Sequence, residues 1–490
     1  MKFVLATTML ATLAGCVGPR PAPPAESVVV PPSAWRNESE SGRSIDAHWW
    51  EQFGDPALRR IVDAALSNNV DVFIASSRVE EARAQFRLAH AQRLPSLGAA
   101  GGADRQRDVN PGFGVPEEQT VREVELSVSY DLDLFGRLAG ASAAAKASLL
   151  GSEAAKDNVR LTVAASAAIG YITLRSLDAR MGVLRDTLAA RADSLRLARR
   201  RAEAGYASQL DLRQAEAEYH STEQLIPSIE LAIARQENGL SLLVGDSPHV
   251  PERGSALAEL TAPAIPAGLP SELLRRRPDV FQAEQQLVAA DHSLDSARAA
   301  FMPDIQLTAS DGYVDSTLLR NPIGVFSIGG SLLAPLLDGG RLRAQADTIA
   351  ARRDQAAFYY RKTALTAFRE VDDALSAERS ASEQEQSIVA QREALARALT
   401  LAKERYKSGY SPYLEQLDAQ RNLLAAELAL IQTRSDHLIA AVSLFQALGG
   451  GWKLQDNAHA VLESGRKSCS ENKTRCRVLA LDACCLGSDR

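Results

Sequence analysis

The chain repeats itself at long range, and that repeat limits the architectures open to it. Arg201-Ala-Glu-Ala-Gly205-Tyr206-Ala-Ser-Gln-Leu210 returns as Arg405-Tyr-Lys-Ser-Gly409-Tyr410-Ser-Pro-Tyr-Leu414. Arg93-Leu94-Pro95 is echoed by Phe301-Met302-Pro303, Asn69-Val70-Asp71-Val72 by Arg277-Pro278-Asp279-Val280, and Leu242 to Gly245 by Gln446 to Gly449. The offset is 208 residues early in the unit and 204 later. A duplicated unit of that length means two similar halves, and the order of elements inside one half decides the fold.

Within each half the hydrophobic period switches twice. Asp55-Pro56 can cap and open a helix that runs to about Leu94, where Pro95 stops it. Gly and Pro then forbid a long helix through 96–135, and Val121 to Leu134 alternates. Val124, Leu126, Val128, Tyr130, Leu132 and Leu134 face one way; Glu123, Glu125, Ser127, Ser129, Asp131 and Asp133 face the other. Residues 96–108 are the weaker partner of that strand. In the second half, Asp304 to Tyr313 and Ile323 to Leu333 are strand-like around Asn321-Pro322. From Arg137 to Glu203 there is no proline, which allows a helix of about 100 Å at 1.5 Å per residue. Ile388, Leu395, Leu399, Ala402 and Tyr406 form a seam, and Leu414, Leu417, Arg421, Leu424, Leu428, Ile431, Ser435 and Leu438 step by three and four. Gly205 and Gly409 therefore mark the tips of two antiparallel helical hairpins. The predicted fold class is α+β, mainly α.

The predicted organisation is a signal peptide at 1–15, a lipidated extended tether at 16–54 and a first repeat at 55–246. An equatorial linker at 247–270, a second repeat at 271–451 and an accessory, disordered tail at 452–490 complete it. Lys2 and the apolar Phe3 to Ala14 precede Leu13-Ala14-Gly15-Cys16, which reads as a lipobox with Cys16 acylated; an ordinary signal peptide with a chance cysteine is the plain alternative. Val17 in place of Asp favours the outer membrane. The other cysteines, Cys469, Cys476, Cys484 and Cys485, lack the spacing of a zinc site, although a disulfide or metal knot stays open for that tail. A net charge of −6 gives no reason to expect nucleic acid. Seven scattered histidines and the lack of phosphate-loop, metalloprotease or nucleophile-elbow motifs argue against an enzyme, a cofactor or a metal. Asp372-Asp373 reads as a solvated helix surface. No helical segment is apolar enough to span a bilayer: the longest, Leu161 to Leu174, falls short of about 20 residues. Any crossing must use strands, and four strands with two unlike faces cannot close alone: either they are soluble or several chains pool them.

Several motifs in this order resemble the outer-membrane efflux factor family, the TolC-like and OprM-like channels, over about residues 45–452. They are Leu273-Leu274-Arg275-Arg276-Arg277-Pro278-Asp279-Val280, Ala283-Glu284, Ala297-Arg298-Ala299 with Phe301 and Pro303, Tyr130-Asp131-Leu132-Asp133-Leu134-Phe135-Gly136-Arg137, and Leu417-Asp418-Ala419-Gln420-Arg421. The resemblance implies a homotrimer with a 12-stranded barrel in the outer membrane and a periplasmic α-barrel. It implies an equatorial belt made from 247–270 and the region after Gly449. It also implies two protein partners, a periplasmic adaptor and an inner-membrane transporter of the resistance-nodulation-division (RND) type, besides outer-membrane lipid. The implied function is the exit duct of a drug-efflux pump. A protein-secretion duct and a non-conducting periplasmic scaffold are the rivals.

Leu414, Asp418 and Arg421 share one helix face at i, i+4 and i+7. Leu414 lies on the predicted seam, and Arg421 takes a slot that ought to be apolar. At the 204-residue offset the first half has Leu210, Gln214 and Ala217, so the charged pair belongs to one hairpin only. The resemblance places a closing ring here, with Leu414 as an apolar constriction, Asp418 as a ring of like charge and Arg421 as the partner that holds the hairpin; a surface i,i+3 pair is the plain alternative. Gly205, Tyr206, Gly409 and Tyr410 form the exposed turns, which in the family meet the adaptor.

Overall fold

The structure, a computed structural model, describes residues 21–36, 46–109, 112, 114, 116–263, 265, 268–317 and 319–452. The predicted signal peptide, Cys16 and the cysteine-bearing tail beyond Trp452 lie outside those residues.

Helix α1 (Pro56–Asn68) and helix α2 (Val70–Ala91) replace the single helix expected to Leu94. Asn69 makes the break. Its side-chain oxygen accepts from the backbone N–H groups of Asp71 and Val72, and its amide donates to the Leu243 carbonyl at 2.9 Å. The cap is thus also a tertiary contact, which a period-based reading cannot see. Strand β1 (Ser96–Val109) and strand β2 (Pro116–Asp131) follow. β2 starts earlier than Val121 and stops before Leu134, a correction to the expected span. Asp133, at φ 43°, turns back to accept from the N–H groups of Leu138 and Ala139 at 2.9 and 2.7 Å. That cap opens helix α3 (Arg137–Glu203), 67 residues long. Helix α4 (Gln209–Glu223) and helix α5 (Leu225–Leu243) return. The break at Gln224 follows from Pro227, which lacks an N–H and crowds the carbonyl of residue 223.

The second half runs through helix α6 (Pro270–Arg276), helix α7 (Pro278–Ala299), strand β3 (Asp304–Ser316) and strand β4 (Ile323–Leu333). Helix α8 (Arg341–Lys407), again 67 residues, and helix α9 (Tyr413–Ala447) end it. Asp338 accepts from the Leu342 N–H at 2.8 Å and opens α8 as Asp133 opens α3.

The four strands form one antiparallel sheet in the order β1-β2-β3-β4, so the two hairpins are joined through β2 and β3, from Val121 opposite Ser316 to Asp131 opposite Gln306. Directly opposed residues share a face. Leu126, Val128, Leu307, Phe326, Ile328 and Leu332 fall on one face, and Phe326 and Ile328 are 78% and 83% exposed in the single chain. The helices repeat the sheet order: α3 packs against α2 and α7, and α7 against α3 and α8. No helix among the described residues is long and apolar enough to cross a membrane.

The main core lies midway down the helices. Trp49 stacks on Phe445 at 5.0 Å, with Phe53, Tyr171 and Leu240 fully enclosed. Each such side chain contributes about 2 kcal/mol by leaving water. Buried Asp55 caps α1 through the Ala57 N–H and accepts from the Tyr171 hydroxyl at 2.6 Å and the Ser255 N–H at 3.0 Å. This ties the 247–263 stretch to the helices, with Leu257 and Leu260 buried beneath it. At the far end the Trp452 indole donates to Asp157 at 2.9 Å.

Where it is described, the N-terminal stretch expected as an extended tether lies against α8. Arg353 of α8, only 1% exposed, donates to the Pro21 carbonyl at 2.9 Å. Further down α8, Trp35 packs near Phe368 and donates to the Gly268 carbonyl at 2.9 Å, and the Arg36 N–H donates to Asp372 at 3.2 Å. The strap lies along α8 because a buried guanidinium must find acceptors, and extended backbone offers its carbonyls.

Between α7 and α8, burial lifts the Glu284 carboxyl above its ordinary value, against an opposing pull from Arg275, and Tyr360 is pushed up to about 12 by burial and then by the Glu284 charge. A carboxyl raised on folding favours the folded state below about pH 4.5, and that contribution is lost as pH rises through the raised value. Glu284→Gln therefore raises the melting temperature at about pH 8 and changes it little at about pH 4, as thermal unfolding at the two pH values checks.

Candidate functional site at the helical tips

The two tips close with the same turn. Gly205 and Gly409 sit at φ 79° and 78°, where a side chain would be strained. The Tyr206 N–H donates to the Arg201 carbonyl at 2.8 Å and the Tyr410 N–H to the Arg405 carbonyl at 2.9 Å, the six-to-one bond that ends a helix. Tyr206 and Tyr410 are 86% and 81% exposed, so both aromatic rings stand out from the end of the molecule. The tips also touch: the Arg201 guanidinium lies 4.8 Å from the Tyr406 ring centre.

Near the tip the packing seam of α9 differs from the predicted one. Tyr413, Gln416, Leu417 and Gln420 are buried, whereas Leu414 is 49% exposed and Arg421 is exposed. Leu414 and Arg421 are therefore not seam residues. The heptad step from Leu424 to Arg421 assumed supercoiling. A straighter helix drifts about 20° per heptad, and the seam advances by four to Gln420. Tyr413 then packs against Tyr406 at 5.5 Å, and burial, followed by Tyr406, pushes its hydroxyl up to about 12.

Leu414, Asp418 and Arg421 stand together on the open face beside that seam. Asp418 and Arg421 are 3.8 Å apart, with more than half of each side chain exposed. The stronger partner of Arg421 is Glu218, on α4 of the other hairpin. The Arg421 Nε donates to Glu218 Oε1 at 2.8 Å, and Nη2 donates to the same oxygen. This bond is the largest cause holding the Arg421 pKa above the ordinary arginine value. The other oxygen of Glu218 meets Arg191 of α3 at 2.9 Å, with both side chains under 10% exposed. Arg191 also donates to the Glu218 carbonyl, Ser221 and Thr222. Burial lowers the Arg191 pKa, with the Glu218 charge opposing.

One glutamate thus carries two arginines of unequal standing. The Arg191 pair is enclosed and hydrogen-bonded, so breaking it leaves a buried charge, a loss of about 3–5 kcal/mol. The Arg421 pair is half in water and worth about 1 kcal/mol. Loss of the Arg421 pair alone leaves Glu218 held by Arg191. Nothing in the sequence marked Glu218 except its charge, one residue past Ala217, the position matching Arg421. Among the described residues no group of three or more His, Cys, Asp and Glu could hold a metal.

Against known proteins, the sequence model of a family described as "Outer membrane efflux protein" matches residues 61–246 and 269–450. The chain is 36% identical over 417 residues to the solvent efflux pump outer membrane protein SrpC of Pseudomonas putida, covering 83% of this chain and 88% of that one. It is 38% identical over 440 residues to the outer membrane protein OprJ of Pseudomonas aeruginosa, covering 84% and 88%. Among solved structures, the open state of the Neisseria gonorrhoeae MtrE outer membrane channel superposes with a TM-score of 0.78 at 29% identity, covering 89% of this chain and 98% of that one.

Proposed function

We propose a role on one premise: the chain belongs to the outer membrane efflux protein family. It is an outer-membrane component of efflux and not an enzyme. In our reading it is the exit duct of a tripartite pump, a passive homotrimeric channel shut at its periplasmic tip. A periplasmic adaptor joins it to an RND-type inner-membrane transporter, and the cargo is solvents, drugs or other small molecules.

One observation carries the duct reading. Among the described residues the sheet ends in β1 and β4, each with one unpaired edge, and the helix layer ends in α2 and α8, in the same order. An open edge in lipid costs several kcal/mol for each unsatisfied backbone group. Pairing β4 with β1 of a second copy removes the edge and sets α8 beside that copy's α2. Their free flanks suit each other. Phe73 on α2 lies about 27 Å below the end of its helix, and Phe358 lies about 26 Å below the start of α8 at 1.5 Å per residue. Both are exposed in the single chain. Phe358, Leu365, Arg361, Lys362 and Arg369 line an open groove of about 360 Å³. Three copies in a closed ring bring 12 strands.

The lipid anchor suits this ring. Five residues from Cys16 to Pro21 reach about 17 Å at most. Arg353, which holds Pro21, lies about 18 Å along α8 from the foot of the sheet. Acyl chains on Cys16 can therefore enter the leaflet at that foot. At the other end, Leu414 and Asp418 ring the closed passage, Arg421 latches it to Glu218, and Gly205-Tyr206 and Gly409-Tyr410 meet the adaptor.

Deleting the gene sensitises the cell to solvents and drugs, and the wild-type chain restores resistance. The purified protein forms trimers that conduct ions in planar bilayers. Trimers that never conduct would make it a scaffold. Lost protein export with unchanged drug resistance would make it a secretion duct.

A further inference from the structure

The sheet has one seam inside the chain, where β2 meets β3, and in the closed ring it gains another, where β4 meets β1 of the next copy. The sequence repeat relates the two. Ser96 opposes Ser129 as Asp304 opposes Leu333, so the offsets of 208 and 204 residues hold across the sheet. At the foot of the internal seam Arg137, the first residue of α3, lies between two carboxylates, Asp131 at 2.7 Å and Asp304 at 3.2 Å. Arg341, the first residue of α8, matches Arg137. Both of its carboxylates are missing: Pro335 stands at the position of Asp131, and the next copy's Ser96 at that of Asp304. Arginines are added instead, Arg343 for Ala139 and Arg93 for Phe301. Arg93, Arg341 and Arg343 are all exposed in the single chain. The charge beside Arg341 is Asp338, whose oxygens already accept from the N–H groups of Gly340 at 3.0 Å and Leu342 at 2.8 Å. Asp347 lies about 9 Å below the start of α8, and Arg87 about 6 Å below the end of α2, so across the seam these two can take each other. The three arginines above them keep no acidic partner there.

We propose that Arg341 and Arg343 of one copy and Arg93 of the next form a phosphate-binding site at each subunit seam, and that the bound group holds neighbouring copies together. This rests on the ring closure of the duct reading above. The subunit seam lacks two negative charges that the internal seam has, and a phosphate group carries about 1.5–2 at pH 7. Guanidinium groups meet phosphate oxygens with paired N–H donors, and arginine suits that geometry better than lysine. Without an anion, closing the ring presses three like charges together at every seam, and their repulsion opposes closure. A bound phosphate reverses the sign of that contribution. The same oxygens are offered by a lipid headgroup and by a free phosphate, so either source satisfies the site.

The test is the temperature at which the purified trimer, in neutral detergent and chloride buffer, falls to monomers on a gel. Binding to the trimer alone raises that temperature. Inorganic phosphate at fixed ionic strength should raise it by several degrees if the source is a free solute. If the source is lipid, phosphatidylglycerol should raise it where inorganic phosphate and phosphatidylcholine do not. Arg341→Gln with Arg343→Gln should give a trimer that responds to neither. Ser96→Asp with Pro335→Asp returns the two carboxylates, and that trimer should resist heat with no phosphate added. A wild-type trimer indifferent to both sources overturns the proposal, as does an equal gain when chloride replaces phosphate. So does a response that survives the double arginine variant. A wild type that stays monomeric with either source overturns the ring, and with it the duct reading.

Discussion

Arg421→Ala raises the conductance of the isolated trimer and lets large hydrophilic antibiotics leak inward through the outer membrane. The latch explains why one side chain suffices. Each Arg421–Glu218 contact is half solvated and worth about 1 kcal/mol, so three acting together hold the tip by about 3 kcal/mol. Removing them multiplies the open fraction by about a hundred, at 1.4 kcal/mol per factor of ten. Glu218 is not orphaned by the change, because Arg191 still holds its other oxygen at 2.9 Å. The hairpins therefore stay folded while the tip loosens. Asp418→Ala should do less, since its contact with Arg421 is longer, at 3.8 Å. Arg191→Ala gives the contrasting result: it costs about 3–5 kcal/mol and shows as faster hydrogen exchange along α3 and α4. Single-channel recording of the three variants separates latch from scaffold. Unchanged conductance in Arg421→Ala, and also in Asp418→Ala with Arg421→Ala, sinks the charged gate.

Phe73→Asp abolishes the trimer. If α2 of one copy fills the free flank of α8 in the next, Phe73 and Phe358 meet at the same depth and each buries an aromatic ring. Losing one such ring costs about 2 kcal/mol, repeated at three interfaces, and the new carboxylate adds a burial penalty. Neither residue packs in the core of its own chain, where both are exposed, so the monomer keeps its helical circular dichroism. Adding Phe358→Lys to the same chain should restore part of the trimer by giving that new carboxylate a partner. Mass photometry in detergent reads both results. A trimer that survives Phe73→Asp places that flank elsewhere, toward solvent or the lumen.

The sequence was most legible where backbone chemistry is local. The bounds Arg137 and Glu203 of α3 follow from the glycines beside them, and β4 from its composition and the Asn321-Pro322 turn. What it hid was long-range. Asn69 looks like any polar helix residue until its amide reaches Leu243. The joining of β2 to β3 depends on contacts nearly 200 residues apart. At the site, the spacing of Leu414, Asp418 and Arg421 identified a shared face, but a strict heptad put the seam one residue out. Glu218 stayed unseen because a carboxylate on a charged helix carries no sign of its partner. The leader reads as extended from its composition, but nothing local shows that Arg353, Phe368 and Asp372 hold it.

That docked leader fixes a fulcrum. Its last hold on α8 among the described residues is Asp372, and from there to Gly409 the helix runs about 55 Å with no described residue of the leader bonded to it. A lever of that length magnifies small rotations: a turn of about 10° at Asp372 swings the tip about 10 Å sideways at 1.5 Å rise per residue. A docking partner that grips only the tip therefore has the long arm, and the sheet above the fulcrum can stay still while the far end swings.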